Sequence, residues 1–207
     1  MSHIQFTLFA EGRTDRALLP ILAWLITETH KPDTVAHEFL SKAELRSDLT
    51  FSDRLQITLK LAPCDILFIH RDADKQPSTL RYNEIANAAA AITASSAKVP
   101  HVCVVPVRMT EAWLLTDETA IRKAAGRPNG SELLDLPKLN RIENVPDPKA
   151  TLHQILREAS GKKGRRLASF DVREAAALVA ECTVSFAPLR RLSAFARLEA
   201  DLREISL

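Results

Sequence analysis

The first half of the chain alternates between short apolar runs and apolar residues at helical spacing. Residues His3–Ala10 are rich in β-branched and aromatic side chains, which is typical of a buried strand. Leucine and isoleucine then recur at helical spacing through residues 14–29. The same patterns predict strands at 35–40, 65–70 and 99–107 and helices at Phe51–Leu61 and 80–95. Near-continuous apolar strands that alternate with helices favour a mostly parallel α/β sheet with helices on both faces.

The pattern changes after Arg108. Residues 111–126 predict one helix or two short helices, which Gly126 and Pro128 end. Residues 127–147 have little periodicity and several prolines, as in an ordered loop or a linker. Three helices follow, at 149–159, Val172–Cys182 and 186–205. We therefore predict a Rossmann-like α/β domain at 1–126 and a helical C-terminal extension at 127–207.

Composition narrows the classes of function. The net charge of +2 is too small to indicate a nucleic-acid binder, so such a role must come from local patches. Cys64, Cys103 and Cys182 form neither a metal-binding spacing nor an even disulfide set, which favours a reducing cytoplasm. No apolar stretch reaches the roughly 20 residues that span a bilayer, and the first residues lack the basic region and small-residue cleavage site expected of a secretory signal. With five glycines, the chain also lacks the Gly-rich phosphate loops of ordinary nucleotide-binding proteins.

Acidic residues follow two of the predicted strands where each strand ends. Glu11 directly follows the first strand, and Asp72 and Asp74 follow the strand that ends near His70. Ligands of open α/β sheets bind beyond the carboxyl ends of the strands. In an extended segment, Asp72 and Asp74 point to the same side, about 6–7 Å apart. Such all-oxygen ligands suit Mg²⁺ or Mn²⁺ rather than zinc.

Two short elements of the sequence resemble the Toprim domain, the metal-binding module of topoisomerases, primases and related nucleases. Glu11-Gly12-Arg13-Thr14-Asp15 is similar to the family's E-G-x-x-D element, and Asp72-Ala73-Asp74 is similar to its D-x-D element. The resemblance implies a Toprim-like fold in which Glu11, Asp72 and Asp74 bind Mg²⁺. It also implies that Glu11 acts as a general acid or base in strand cleavage or phosphoryl transfer.

A longer resemblance extends over nearly the whole chain. Three segments resemble small bacterial Toprim-like proteins. They are the R-D-A-D run that ends at Asp74, the segment containing Arg108, Glu111 and Trp113, and the D-P-K run that ends at Lys149. Those proteins are often encoded beside an ATPase in phage-defence loci. The resemblance implies an ATPase partner. The more distant overcoming-lysogenisation-defect nucleases suggest that Lys149 stabilises the transition state.

Further residues near these elements suit phosphodiester chemistry. Glu111 follows the third buried strand and either completes a second metal site or is an ordinary first-turn acid of a helix. Arg71 and Arg108 flank the carboxylates and are candidates for phosphate contacts. Gly12 and Asp15 are predicted to brace the turn after the first strand, and Asp15 is expected to cap or brace the helix rather than to bind metal. His70 either orients a carboxylate or is a satisfied histidine at a strand end.

Four cations lie close together in residues 161–166, which we call the basic segment. Lys162, Lys163, Arg165 and Arg166 are expected in a flexible loop between helices. Such a loop makes sequence-independent contacts with nucleic-acid phosphates. A solvated face and a contact with an acidic protein partner are the alternatives. Arg190, Arg191, Arg197 and Arg203 extend this surface if the last helix lies nearby.

The preferred hypothesis from the sequence is a cytoplasmic, Mg²⁺-dependent nuclease or phosphotransfer protein that acts on nucleic acid. Its expected partner is an ATPase or a second copy of the chain. One alternative is a binding or regulatory subunit that keeps the Toprim-like sheet without turnover. Another is a phosphohydrolase with an aspartate nucleophile, although its D-x-D motif normally follows the first strand.

Overall fold

The computed structural model describes residues 1–93 and 99–206 and shows an α/β fold. Its strands are β1 (His3–Ala10), β2 (Thr34–Ser41), β3 (Ile66–His70) and β4 (His101–Val104). Its helices are α1 (Leu18–His30), α2 (Phe51–Leu61), α3 (Ser78–Thr93), α4 (Glu111–Leu114), α5 (Glu118–Ala124), α6 (Pro148–Ala159), α7 (Gly164–Ala168), α8 (Val172–Cys182) and α9 (Ser193–Arg203). Short 3-10 helices at Arg13–Ala17, Lys42–Glu44, Leu139–Asn144 and Ala187–Arg191 connect them.

Most elements lie where the hydrophobic pattern predicts them, and β1, α2 and α8 have the predicted bounds. The strand predicted at 99–107 is shorter, because Pro100 and Pro106 cannot donate backbone hydrogen bonds to a neighbouring strand. The helix predicted at 14–29 begins with a 3-10 turn at Arg13–Ala17. The helix predicted at 80–95 begins two residues earlier, and positions 94 and 95 lie outside the described residues.

The last predicted helix is divided in two, and a tertiary contact accounts for the division. Leu192 is extended between the 3-10 helix Ala187–Arg191 and α9. Glu143, from a distant part of the chain, accepts the Ser193 hydroxyl at 2.8 Å and the Ala194 N–H at 3.1 Å. A carboxylate at the start of a helix satisfies N–H groups that have no partner within the helix. Hydrophobic periodicity contains no signal for such a long-range contact.

The described strands form a four-stranded sheet in which all neighbouring strands are parallel. Their order is β2, β1, β3, β4. Phe9 pairs with Ile69 between β1 and β3, and His70 pairs with Val104 between β3 and β4. All strands therefore end at one edge of the sheet. The prediction of a mostly parallel sheet is confirmed.

Helices cover both faces of the sheet, as predicted. Phe6 and Phe68, on one face, pack edge to face in the larger hydrophobic cluster, which includes α1, α4, α5, α6, α8 and α9. Leu67 and Ile69, on the other face, pack in a smaller cluster with α2 and α3. Alternate residues of each strand therefore contact different helices, since successive side chains of a strand point to opposite faces.

Helices from beyond residue 127 belong to the larger cluster and pack on the sheet. Trp113 of α4, 1% exposed, meets Phe195 of α9 edge to face with ring centroids 5.3 Å apart. Trp24 of α1 meets Phe186 in the same way at 5.9 Å. The domain boundary at residue 126 stays a prediction, but the two parts share one hydrophobic cluster.

Among the described residues, no helix combines the length and apolar character needed to cross a membrane. Cys64, Cys103 and Cys182 are free thiols, each partly buried. Burial raises the pKa of the Cys64 thiol and raises that of Cys103 to about 11. Both thiols are therefore in their protonated, weakly nucleophilic form near neutral pH.

The contact between Trp113 and Phe195 allows a test of whether the two parts of the chain unfold together. We expect Trp113→Ala to lower the free energy of unfolding by about 3–5 kcal/mol, because it removes a large buried ring. We expect circular dichroism and Trp24 fluorescence to report one shared transition in denaturant. Trp24→Ala, at a half-buried position, is the control and should cost less. Two separate transitions in the wild-type protein would contradict a shared core.

Candidate functional site

The loops after β1 and β3 leave the sheet at the point where strand order reverses. Strand β1 lies between β2 and β3, so successive strands are added first on one side of β1 and then on the other. Doubly wound sheets bind ligands in the crevice at this reversal. Glu11 directly follows β1, and Asp72 follows β3 by two residues. The fold therefore brings these two predicted site residues to the usual ligand position.

The Asp72 carboxyl group lies in a strongly negative and partly dehydrated environment. Its side chain is 21% exposed. Burial, followed by the negative charges of Asp15, Glu111, Glu11 and Asp74, raises the pKa of Asp72 to about 8. A carboxyl group in such a position is stabilised by a bound proton or by a bound cation.

The imidazole of His70 is fully buried and contacts Asp72. Its Nδ1 lies 3.0 Å from the carbonyl oxygen of Val104, which can only accept, so Nδ1 carries a proton. Nε2 lies 3.4 Å from Asp72 Oδ1 and 3.7 Å from Asp15 Oδ2. The Thr110 N–H donates to the same Asp72 oxygen at 3.2 Å. The Thr110 hydroxyl lies 3.5 Å from Nε2, so His70 lies in contact with the Thr110 hydroxyl and with two carboxyl groups.

The side chain of Asp15 braces the turn after β1. The Gly12 N–H donates to Asp15 Oδ2 at 2.8 Å, and Asp15 is buried with 8% exposure. This contact closes the 3-10 turn that follows Glu11 and holds Asp15 beside His70. Asp15 thus braces the turn, and its negative charge also contributes to the raised pKa of Asp72.

A chain of alternating charges surrounds Glu11. Arg71 Nε lies 2.5 Å from Glu11 Oε1, and Arg71 Nη1 lies 3.2 Å from Glu84 Oε2. Arg81 pairs with Glu84 at 3.1 Å and with Asp74 at 3.3 Å. Arg71, which the sequence suggests for phosphate contacts, is thus engaged by two carboxylates. The two arginines compensate the negative charge of Glu11 and Asp74.

Lys149, the predicted transition-state residue, lies opposite Glu111. Its Nζ is 3.5 Å from Glu111 Oε1. The D-P-K run accounts for this position, because Asp147 is the N-cap of α6 and accepts the Ala150 N–H at 2.8 Å. Pro148 suits the first helical position, where no backbone donor is needed. Lys149 therefore belongs to the first turn of α6, at the acidic crevice.

The acids of the predicted metal site lie on two faces of the sheet edge. Glu11 contacts Arg71, which stacks on Phe51 of α2, so Glu11 belongs to the face covered by α2 and α3. Asp72 contacts Thr110 on the opposite face. Within residues 1–93 and 99–206, no three His, Cys, Asp or Glu side chains lie close enough together to hold one metal ion. The acids share an edge without forming a ready-made coordination sphere.

The backbone after β3 departs from the extended segment expected for the D-x-D element. Asp74 has a left-handed backbone with φ of 54°, so Asp72 and Asp74 are not related as alternate residues of a strand. Arg108 is also left-handed, with φ of 65°, and its carbonyl accepts the Asp74 N–H at 2.8 Å. This conformation costs a non-glycine residue about 1–2 kcal/mol. Strain of this kind clusters at functional sites.

A cleft of about 310 Å³ opens on the Asp72 face of the sheet edge, which we call the Lys149 cleft. The acids Asp15 and Glu111 line it, together with the basic residues Lys149, His153 and Arg173. Its walls come from the 3-10 helix after β1 and from α4, α6 and α8. Helices from the C-terminal part of the chain thus supply the basic wall beside the acids.

The basic segment lies apart from the first turn of α6. Lys162 and Lys163 follow the C-terminus of α6, whose 12 residues span about 18 Å. Arg165 and Arg166 belong to α7, so part of the predicted flexible loop is helical. Lys162 packs over the ring of Phe170 at 4.5 Å. The other three cations are exposed and have no ion-pair partner among the described side chains.

Four residues at the crevice were not identified from the sequence. Arg81 and Glu84 form an ion pair at helical spacing just after the D-x-D element, which is a usable signal. His153 lies four residues after Lys149 and therefore on the same helical face. Arg173 has no local signal, because it reaches the cleft only through the packing of α8.

Comparison with models of known protein families, with curated proteins and with solved structures finds no match to this chain. The Toprim resemblance therefore rests on the sequence elements alone and stays a prediction. The structure adds a four-stranded parallel sheet that is consistent with a Rossmann-like fold.

The raised pKa of Asp72 predicts an unusual pH dependence of stability. The folded protein retains a proton on Asp72 up to about pH 8, whereas the unfolded chain loses it near pH 4. We expect the metal-free protein to lose about 5 kcal/mol of unfolding free energy as pH rises through this window, because each unit of pKa difference corresponds to about 1.4 kcal/mol. Asp72→Asn should flatten the dependence and be the more stable protein at pH 8.5.

Denaturant unfolding at pH 5 and pH 8.5 in the presence of a chelator measures this difference. Asp135→Asn, at an exposed aspartate away from the crevice, is the matched control and should follow the wild type. Parallel pH curves for Asp72→Asn and the wild-type protein would show that Asp72 has an ordinary pKa.

The left-handed backbone of Arg108 gives a second test. Arg108→Gly and Arg108→Ala both remove the side chain, but only glycine adopts a positive φ without steric cost. We expect the glycine variant to be more stable than the alanine variant by about 1 kcal/mol in denaturant unfolding. An alanine variant as stable as the glycine variant would mean that the backbone at this position is unstrained.

Proposed function

We propose that the protein is a divalent-metal-dependent nuclease or phosphotransfer protein acting on nucleic acid. The observation that carries this proposal is the environment of Asp72, a partly buried carboxyl group among four other acids at the reversal of strand order. Concentrating negative charge at this edge is unfavourable for folding alone. A bound cation would remove that cost, which is a physical reason for such an arrangement at a ligand position.

The donor set fits Mg²⁺ or Mn²⁺, since it consists of carboxylate oxygens. Asp72 would be the central ligand, with Glu111 and Asp15 on its own face and Glu11 and Asp74 across the edge. Binding requires these side chains to turn toward one another, because no three of those described converge as they stand. A divalent cation supplies Lewis-acid polarisation of phosphate oxygens.

The remaining side chains have separable tasks in the proposed reaction. Lys149 provides positive charge beside Glu111 and can stabilise charge that develops on phosphate. Arg108 lies beside Asp74, where its side chain makes a 3.5 Å contact with the Pro146 carbonyl, and is available to a phosphate. The exposed cations of the basic segment would contact the nucleic-acid backbone farther from the reacting group.

A regulatory subunit without turnover is the second candidate, and one observation favours it. Arg71 and Arg81 already compensate the charge of Glu11 and Asp74. When arginines neutralise these acids, the acids can stay at the crevice without a metal ion. The ATPase partner and the role in phage defence remain proposals supported by the sequence resemblance, and a homodimer remains a proposal without that support.

Metal binding and cleavage can be measured separately. We expect Mn²⁺ titration calorimetry to detect binding that strengthens from pH 6 to pH 8.5, because Asp72 must lose its proton to bind a cation. The Asp72→Ala/Asp74→Ala variant should lose at least tenfold in Mn²⁺ affinity. Fluorescently labelled single- and double-stranded DNA and RNA should be cleaved by the wild-type protein with Mn²⁺ and not by this variant.

The Asp135→Asn variant is the control and should bind Mn²⁺ and cleave like the wild-type protein. Binding of Mn²⁺ without cleavage of any substrate would favour the regulatory candidate. Absence of binding at pH 8.5 would remove the metal-dependent proposal altogether.

A further inference from the structure

Basic side chains gather along α6 and at the start of α8. Lys149, His153 and Arg157 are spaced by four residues and lie on one face of α6. Burial lowers the pKa of His153, and the positive charges of Arg157, Lys149 and Arg173 lower it further against the opposing effect of Glu111. Of these four groups, only Lys149 has an ion-pair partner among the described side chains, Glu111. Arg157 and Arg173 therefore hold positive charge without a counter-ion, which is typical of a site for an anion, and His153 contributes a ring N–H donor rather than a charge.

The Lys149 cleft combines this basic wall with an apolar one. Ala17, Leu114 and Ala176 line the apolar part, and all three are buried in the protein core. The volume of about 310 Å³ is at the lower end of the range of about 300–1,000 Å³ for small-molecule sites. The cleft therefore suits a ligand with an anionic group and a small, partly apolar body.

Each of the two acids that line the cleft already has a partner within the protein. Asp15 accepts the Gly12 N–H at 2.8 Å, and Glu111 pairs with Lys149 at 3.5 Å. His153 and Arg173 make no such pairs within the described part of the chain, so their donors are available to a ligand. A guanidinium group offers paired donors that match phosphate oxygens.

We propose that the Lys149 cleft binds a terminal phosphomonoester together with its nucleoside, either in a mononucleotide or at the phosphorylated end of a nucleic-acid strand. A phosphomonoester carries a charge of about −1.5 to −2 near neutral pH, which suits a wall of several basic groups. The phosphate contacts Arg173 and His153, and the nucleoside lies against the apolar wall. This inference rests on the proposed function, because it assigns the substrate class of the same crevice.

Binding without metal and without turnover tests the proposal. Fluorescence anisotropy in the presence of a chelator compares a 5′-phosphorylated, a 3′-phosphorylated and an unphosphorylated labelled oligonucleotide. Calorimetry compares adenosine 5′- and 3′-monophosphate with adenosine. We expect at least one phosphomonoester to bind at least tenfold more tightly than its unphosphorylated counterpart. A preference in the oligonucleotide comparison would identify the strand end as the ligand. A preference in the adenosine comparison would identify the free nucleotide.

Arg173→Gln and the Arg173→Gln/His153→Gln double variant should lose that preference by at least fivefold. Arg173 is exposed and unpaired, so its replacement should leave thermal unfolding unchanged.

Lys60→Gln, which removes an exposed cation from α2 on the other face of the sheet, is the control and should bind like the wild type. Equal binding of phosphorylated and unphosphorylated ligands, or unchanged preference in the double variant, would overturn the proposal. Neither result depends on cleavage, so failure here is distinct from failure of the nuclease hypothesis.

Discussion

The parallel pairing of β1 with β3 determines the geometry of the crevice. Phe9 and Ile69 are partners in this ladder, and one residue farther along both strands end, at Ala10 and His70. The two chains therefore leave the sheet side by side, in the same direction, at the place where strand order reverses. Acidic residues separated by some 60 positions in sequence meet because of this register.

Negative charge at this edge is compensated in a different way on each face. On the face of α2 and α3, arginines pair with Glu11 and Asp74. On the other face, Lys149 pairs with Glu111, and Asp72 retains a proton near neutral pH. These contacts offset the repulsion between the acids and still leave them within electrostatic reach of one another. A cation would compete with a proton at Asp72 and with ion pairs at the other acids.

The C-terminal helices are part of the crevice as well as of the core. The sheet supplies the acids, whereas α6 and α8 supply Lys149, His153 and Arg173. These helices are held against the sheet by apolar contacts such as that of Trp113 with Phe195. A cleft built from both parts of the chain requires that they keep a fixed relative position, and the shared hydrophobic cluster provides the physical means.

The sequence by itself determined the strands, most helices, the parallel sheet and the meeting of Glu11 and Asp72 at one edge. These features follow from hydrophobic periodicity, which is a local property of the sequence, and from the topological rule that parallel strands end at the same edge of a sheet. Only the tertiary structure decided that Glu11 and Asp72 lie on different faces, that Arg71 is neutralised by carboxylates, and that Arg173 joins Lys149. Those facts depend on side-chain direction, left-handed turns and helix packing, which bring together residues with no relation in sequence spacing.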